Sequence, residues 1–332
     1  MRIISLIVIL ITSAIIISIA SLYLTKKCEK IATRFNFSQA LFGIITALGA
    51  NSPEISSSIF ALSMNHHEIG LGVIIGSNII NLAGLLGISA IITGQIKLGL
   101  PALILNGGVG FLTIVIMALL LFDKIEIWTT FFLLAILLAP YIYLISRQPS
   151  EIKNMKISQR IKSILALTVK HSRNDVNSGD ATKLSFIDFL IAAIALLTII
   201  GGSFALVLSA IELANHWGIS YVIVGTLILA GLTSIPNIVT AVLLARKGLG
   251  VAVVSETFNS NTLNFITGIC LPLLIFGMGK VAAGIKFSIF WLLGMTLVTI
   301  VSLSFPKGLR RLSGIGIVAL YIVYALIVIF YP

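Results

Sequence analysis

Charged residues are what this sequence has least of. Asp, Glu, Lys and Arg together make up 10% of its 332 residues, where soluble domains carry roughly a quarter. Hydrophobic residues make up 58%, and the mean hydropathy is +1.13. A chain so apolar cannot hide its hydrophobic surface in one aqueous core. That excludes an ordinary soluble domain and points to lipid as the solvent. Cysteine is nearly absent as well. Cys28 and Cys270 are the only two; neither has metal-ligand or redox spacing, and both read as small apolar residues. The apolar runs also lack a nucleophile–base pair, a metal-ligand set and a nucleotide motif, so no enzyme and no cofactor is expected. A net charge of +11 would suggest nucleic acid for a soluble protein. Here the basic residues lie between apolar runs, where membrane topology uses them, and no nucleic-acid partner is expected.

What the sequence does have is a series of long hydrophobic runs. Ten are long enough to cross roughly 30 Å of hydrocarbon: 3–24, 39–63, 70–94, 99–122, 126–146, 185–213, 220–245, 249–278, 286–304 and 312–331. The first is too long for a typical signal-peptide core, and its basic cluster (Lys26, Lys27, Lys30, Arg34) follows it. It therefore reads as a retained helix. The one long polar connection, Gln148 to Leu184, reads as a linker between two five-helix halves, 1–147 and 185–332. With the N-terminus outside, 18 of the 22 Lys and Arg fall on the cytoplasmic side, as the positive-inside rule requires. The expected protein is a multi-pass one of the cell membrane, with a cytoplasmic linker at 148–184. Each half has an odd number of helices, so the halves must lie in opposite orientations.

The halves also share polar residues at matching places. Ser38, Gly43 and Gly49 match Ser220, Gly225 and Gly231; further along, Pro53, Ser77, Asn78 and Asn81 match Pro236, Ser260, Asn261 and Asn264. The expected fold is an all-α membrane protein of ten transmembrane helices in two inverted five-helix repeats. Inverted repeats with interrupted helices in corresponding places point to a transport site near the bilayer midplane.

The chemistry of that site follows from the residue types. In Gly49-Ala50-Asn51-Ser52-Pro53-Glu54, Pro53 has no N–H and its ring displaces the Gly49 carbonyl, so backbone oxygen is expected to become available for a cation. Asn51 and Glu54 are three apart and share a face. Ser77 and Asn81 form a second oxygen-bearing stripe. Thr233, Ser234 and Asn237 beside Pro236, with Ser260 and Asn264, repeat the pattern in the second half. Such hard oxygen donors suit sodium, lithium, calcium or protons and not soft transition metals.

These residues resemble the cation/calcium exchanger superfamily. The segment from Gly49 to Glu54 is similar to the G-T-S-x-P-E motif of its sodium/calcium exchanger branch, and Gly76-Ser77-Asn78-Ile79-Ile80-Asn81 to the partner motif G-S-N-I-F-[ND]. Leu213-Ala214 and Gly218-Ile219-Ser220 followed by Gly225 are similar to the lead-in of the second repeat. The resemblance implies cation antiport by alternating access, with calcium and sodium, or lithium or protons, as transported ions. It places ion ligands at Ala47 (through its carbonyl), Asn51, Glu54, Ser77, Asn81, Thr233, Ser234, Asn237, Ser260 and Asn264. It also exposes departures. The family normally has a second carboxylate where Asn237 stands and often a third where Asn264 stands; Ala50 replaces a hydroxyl. One carboxylate balances a monovalent ion and leaves a divalent one half compensated. A monovalent cation or proton exchanger is the alternative within transport, and a non-transporting relative the alternative outside it.

Other polar residues have simpler readings. Glu256, four residues before Ser260, is either a relay on the cytoplasmic side of the site or a local cap or pairing residue. Asp188 and Glu212 are expected to reach the interface from span ends. His66-His67-Glu68 lacks the spacing of an intramembrane metalloprotease. Gly70, Gly72 and Gly76 read as sites of close helix packing.

Overall fold

The computed structural model describes residues 2–34, 39–145 and 184–331. Almost all of the expected linker, 148–184, lies outside the described residues. Helix α1 spans Arg2–Arg34; α2 (Gln39–Ala50) and α3 (Ser52–Ser63) are parted by Asn51 alone. Helix α4 runs His67–Thr93, with a π-helical stretch at Asn81–Ile88. Next come α5 (Leu100–Leu121), α6 (Ile127–Ile145) and α7 (Phe186–Trp217). Helix α8 (Tyr221–Arg246) has a π stretch at Val224–Leu229, and α9 (Gly250–Phe276) has one at Asn264–Cys270. The last two are α10 (Ala283–Ser304) and α11 (Arg311–Phe330). Among the described residues the departure from an all-helical chain is one antiparallel pair of two-residue strands, β1 (Gln95–Ile96) and β2 (Leu309–Arg310), which staples the segment after α4 to the segment before α11.

Eight of these helices (α1, α4, α5, α7, α8, α9, α10 and α11) are long and apolar enough to cross a membrane. Helix α4 is buried along its whole apolar length, and it packs against α3, α8, α9 and α10. The outer helices leave apolar side chains exposed: Ile4, Val8, Ile11 and Ile15 on α1, Leu190, Ile194 and Leu197 on α7. In water such a continuous apolar face would be an aggregation hazard, whereas lipid covers it.

Two boundaries differ from the sequence reading. The first helix does not stop at residue 24 but continues through the basic cluster to Arg34. Hydropathy marks where hydrocarbon ends, while Lys and Glu are good helix formers and carry the helix on. Lys27 and Lys30, three apart on one face, reach Asp188 in the first turn of α7 at 2.8 and 2.6 Å. Asp188, expected to reach the interface from a span end, has defined partners there. Its side chain is 6% exposed, bridges α1 to α7, and closes a capping box with Ser185. The end of α1 and the start of α7 thus lie on the same face.

The second difference is at the prolines. Helix 39–63 is broken at Asn51, with Pro53 in the first turn of α3, because the proline ring crowds the carbonyl four residues back and Pro53 has no N–H to donate to it. Pro236, by contrast, sits inside a continuous helix.

Helices α4 and α8 cross closely through glycine. A Cβ built on Gly72 would lie 3.1 Å from the Gly225 Cα, and one on Gly76 would run into the Thr226 backbone. Small residues let membrane helices approach to backbone contact. Gly76→Ala is expected to destabilise the protein by about 1–3 kcal/mol, the usual cost of overpacking, read as a lower melting temperature in detergent. Gly316→Ala, whose added methyl meets nothing within 4 Å, is the matched control and should leave melting unchanged.

Candidate cation site

Glu54 lies in the first turn of α3, at 0% exposure. The break at Asn51 turns this start of α3 toward α8. Glu54 Oε1 accepts hydrogen bonds from Asn237 Nδ2 at 3.1 Å and from Ser234 Oγ at 3.3 Å. The same Asn237 amide donates to Asn51 Oδ1 at 2.9 Å, and Asn51 Nδ2 donates to the Ser260 carbonyl at 3.4 Å. Helices α3, α8 and α9 thus meet around one carboxylate.

A second group joins α4 to α9. Asn264 Nδ2 donates to Ser77 Oγ at 3.3 Å and to Asn78 Oδ1 at 3.0 Å, while Asn81 Nδ2 donates to Asn261 Oδ1 at 2.9 Å. Asn78 and Asn261 also exchange side-chain donors for each other's backbone carbonyls, both at 3.1 Å. All ten expected ligand positions are buried: Ala47, Asn51, Glu54, Ser77, Asn81, Thr233, Ser234, Asn237, Ser260 and Asn264. Thr233 donates its hydroxyl to the Leu229 carbonyl at 2.9 Å, and the Ala47 carbonyl accepts the Asn51 N–H at 2.9 Å. Both oxygens keep a lone pair.

One expectation about backbone oxygen is corrected. The Gly49 carbonyl released by Pro53 does not stand open for a cation, because Ser21 of α1 donates to it at 3.4 Å and to the Ala50 carbonyl at 3.2 Å. A buried hydroxyl nearby satisfies what the proline released. Nothing in the local motif announces Ser21, which comes from another helix.

The side chains tell the opposite story. Glu54 Oε2, Ser57 Oγ, Asn81 Oδ1, Asn237 Oδ1 and Asn264 Oδ1 are buried with no hydrogen-bond partner. Each asparagine of this set has spent its amide nitrogen on the protein and kept its oxygen. Ser57 was not among the expected residues, yet it continues the three-residue spacing of Asn51 and Glu54, a signal present in the sequence. Leaving a buried polar group unsatisfied costs about 1–3 kcal/mol. A set of buried oxygens in which all but the Ser57 hydroxyl can only accept is suited to a dehydrated hard cation, which supplies several oxygens with one positive charge. Among the described residues no three His, Cys, Asp or Glu gather as a metal site. Neutral oxygens and a single carboxylate are what this centre has to work with.

Glu256 does not cap its helix: α9 begins at Gly250 after Leu249, so Glu256 stands well inside it. Its Oε2 is buried without a partner. Of the remaining polar residues, His66 packs edge-on against Tyr221 with ring centroids 5.0 Å apart.

Known proteins resemble this chain throughout. The family profile described as sodium/calcium exchanger protein matches residues 5–146 and 187–330. A sodium/potassium/calcium exchanger 1 of Gallus gallus is 34% identical over 161 residues, 46% of this chain and 24% of that protein. The Bos taurus protein of the same description is 35% identical over 161 residues, 13% of its length. The chain therefore spans about a quarter or less of these relatives. Among solved structures, the sodium-calcium exchanger NCX_Mj aligns with a TM-score of 0.62 and 25% identity, covering 97% of this chain and 98% of that one. The H+/Ca2+ exchanger CAX aligns with a TM-score of 0.69 at 14% identity, covering 98% and 86%, and so shares the fold.

Proposed function

The chain belongs to the sodium/calcium exchanger protein family, and from that premise we propose that it is a secondary-active cation antiporter that binds its ions between α3, α4, α8 and α9. The observation that carries the proposal is a set of buried, unpartnered side-chain oxygens on α3, α4, α8 and α9, one of them a carboxylate's: Glu54 Oε2, Ser57 Oγ, Asn81 Oδ1, Asn237 Oδ1 and Asn264 Oδ1. In this reading Glu54 supplies the counter-charge. The amide oxygens of Asn81, Asn237 and Asn264, with the hydroxyls of Ser77, Thr233, Ser234 and Ser260, replace the water stripped from the ion. Ten spans result when α2 and α3 count as one interrupted crossing and α6 as another. The two five-helix halves are then inverted repeats and exchange access to the site from either side, with the N-terminus outside. The distribution of basic residues and the shared polar residues of the halves support this arrangement.

The relatives carry names that pair sodium with calcium, in some cases with potassium as well. The site here favours a second reading for the transported ion, exchange of a monovalent cation or proton. Asn237 and Asn264 donate amide hydrogens where a second and third carboxylate would compensate a divalent charge. The test is thermal stability of the purified protein in lithium, sodium, potassium and calcium, paired with flux in proteoliposomes. A ligand of the native state raises its stability by mass action. Sodium or lithium is expected to raise the melting temperature at lower concentration than calcium. Calcium stabilisation at micromolar levels would reject the monovalent reading, and neither stabilisation nor flux with any cation would reject antiport.

A further inference from the structure

We propose that Asn78 and Asn261 are positioning residues that decide which ions the site accepts, by holding the Asn81 and Asn264 amides with their oxygens turned inward. The inference rests on the cation-site reading above and adds residues that bind no ion themselves.

A primary amide has two edges of nearly the same size, one a donor and one an acceptor. Packing alone does not choose which edge faces a cavity; the hydrogen-bond partner does. Here the choice can be followed to an atom that cannot turn. The Asn261 backbone carbonyl only accepts, and it takes Asn78 Nδ2 at 3.1 Å. Asn78 must therefore present Oδ1 on its other edge, where Asn264 Nδ2 lies at 3.0 Å. That bond fixes Asn264 with its nitrogen toward Asn78 and leaves its Oδ1 unpartnered. The mirror relay starts at the Asn78 carbonyl, which takes Asn261 Nδ2 at 3.1 Å. Asn261 Oδ1 then takes Asn81 Nδ2 at 2.9 Å, and Asn81 Oδ1 is left unpartnered.

Two relays of the same polarity thus run in opposite directions between α4 and α9, and each ends on an oxygen of the acceptor cluster. All four side chains are buried, Asn78, Asn81 and Asn264 at 0% and Asn261 at 2% exposure. Water is thus kept from competing for the amide edges. Local backbone geometry also repeats, because two of the three π-helical stretches begin at the end of a relay, at Asn81 and at Asn264. Such widened turns are frequent at functional sites. If an amide reversed, a donor would face the ion in place of an acceptor, and one ligand would become a repulsive dipole. The pair therefore acts on selectivity through orientation.

The experiment is a double-mutant cycle read as apparent sodium, lithium and potassium affinities from melting curves of the purified protein. Asn261→Ala releases the Asn81 amide and is expected to weaken binding of the best cation by about tenfold or more, the worth of one hydrogen bond to a charged group, and to narrow its preference over potassium. In an Asn81→Asp background both edges are oxygen, so there is no orientation left to choose. Adding Asn261→Ala there should cost no further affinity, and should relieve the clash of Asn261 Oδ1 with the new carboxylate. Equal losses in both backgrounds would make Asn261 a simple brace and overturn the proposal. Asn78→Ala with Asn264→Asp repeats the cycle on the other relay; if neither single alanine variant folds, the pair is structural and the proposal fails. Wild-type protein that no cation stabilises would reject the cation site itself, whereas wild-type stabilisation with unchanged variants would reject only the positioning role.

Discussion

Glu54→Gln is expected to abolish cation exchange while leaving a folded protein. The amide keeps an oxygen where Asn237 Nδ2 and Ser234 Oγ now donate to Oε1, at 3.1 and 3.3 Å. Its nitrogen takes the place of Oε2, which has no partner, and can donate to the acceptor oxygens around it. The fold therefore loses a buried charge and keeps its contacts. A neutral amide costs less to bury than an ionised carboxylate, so melting in the absence of cation should be unchanged or higher. Binding is another matter. A unit charge 4 Å from a carboxylate gains about 4 kcal/mol at an effective dielectric of about 20. Its removal should weaken a monovalent cation by roughly a thousandfold. Flux in proteoliposomes should fall to background, and cation-dependent stabilisation should vanish with it. A well-folded Glu54→Gln protein exchanging at the native rate would remove Glu54 from the mechanism and turn attention to Glu256, a half-buried acid that also has an unpartnered Oε2.

How the sequence foretells this centre differs from residue to residue. Glu54, Asn51 and Asn237 were legible because a polar residue inside an apolar run has few reasons to be there, and because the second half repeats the first at similar spacing. The positions of the helices were legible for the same energetic reason, since a long apolar run has few other places to go. The ends were not. Hydropathy carries no information on whether Lys26 to Arg34 is loop or helix, and Asp188, the partner that anchors Lys27 and Lys30, lies 161 and 158 residues away. Likewise Ser21 reaches the Gly49 carbonyl across 28 residues. Bonds of that kind depend on which helices become neighbours. Asn78 and Asn261 stand between the two cases. Their repetition in both halves is plain in the sequence, but their role is not, because the sense of an amide is fixed only by the carbonyl opposite.

The largest gain of function is expected from restoring the missing charge. Asn237→Asp is nearly isosteric, so it replaces Nδ2, which donates to Glu54 Oε1 at 3.1 Å and to Asn51 Oδ1 at 2.9 Å, with a second carboxylate oxygen. In the absence of cation two carboxylates would then face each other at about hydrogen-bond distance. Their repulsion is about 5 kcal/mol at an effective dielectric of about 20, enough to lower the melting temperature or force one acid to hold a proton. A divalent cation reverses the sign of that interaction, because both negative charges now face two positive ones. Calcium affinity is expected to rise by about a hundredfold, near 3 kcal/mol of the repulsion being converted into attraction. Calcium should then stabilise the variant more than sodium does, the reverse of the order expected for the native chain. Protons compete for the same pair, so calcium binding to the variant should weaken as pH falls. The measurement is calcium-dependent melting across a pH series for native and variant protein. Unchanged calcium affinity in a folded Asn237→Asp protein would mean that carboxylate count does not govern ion choice at this site.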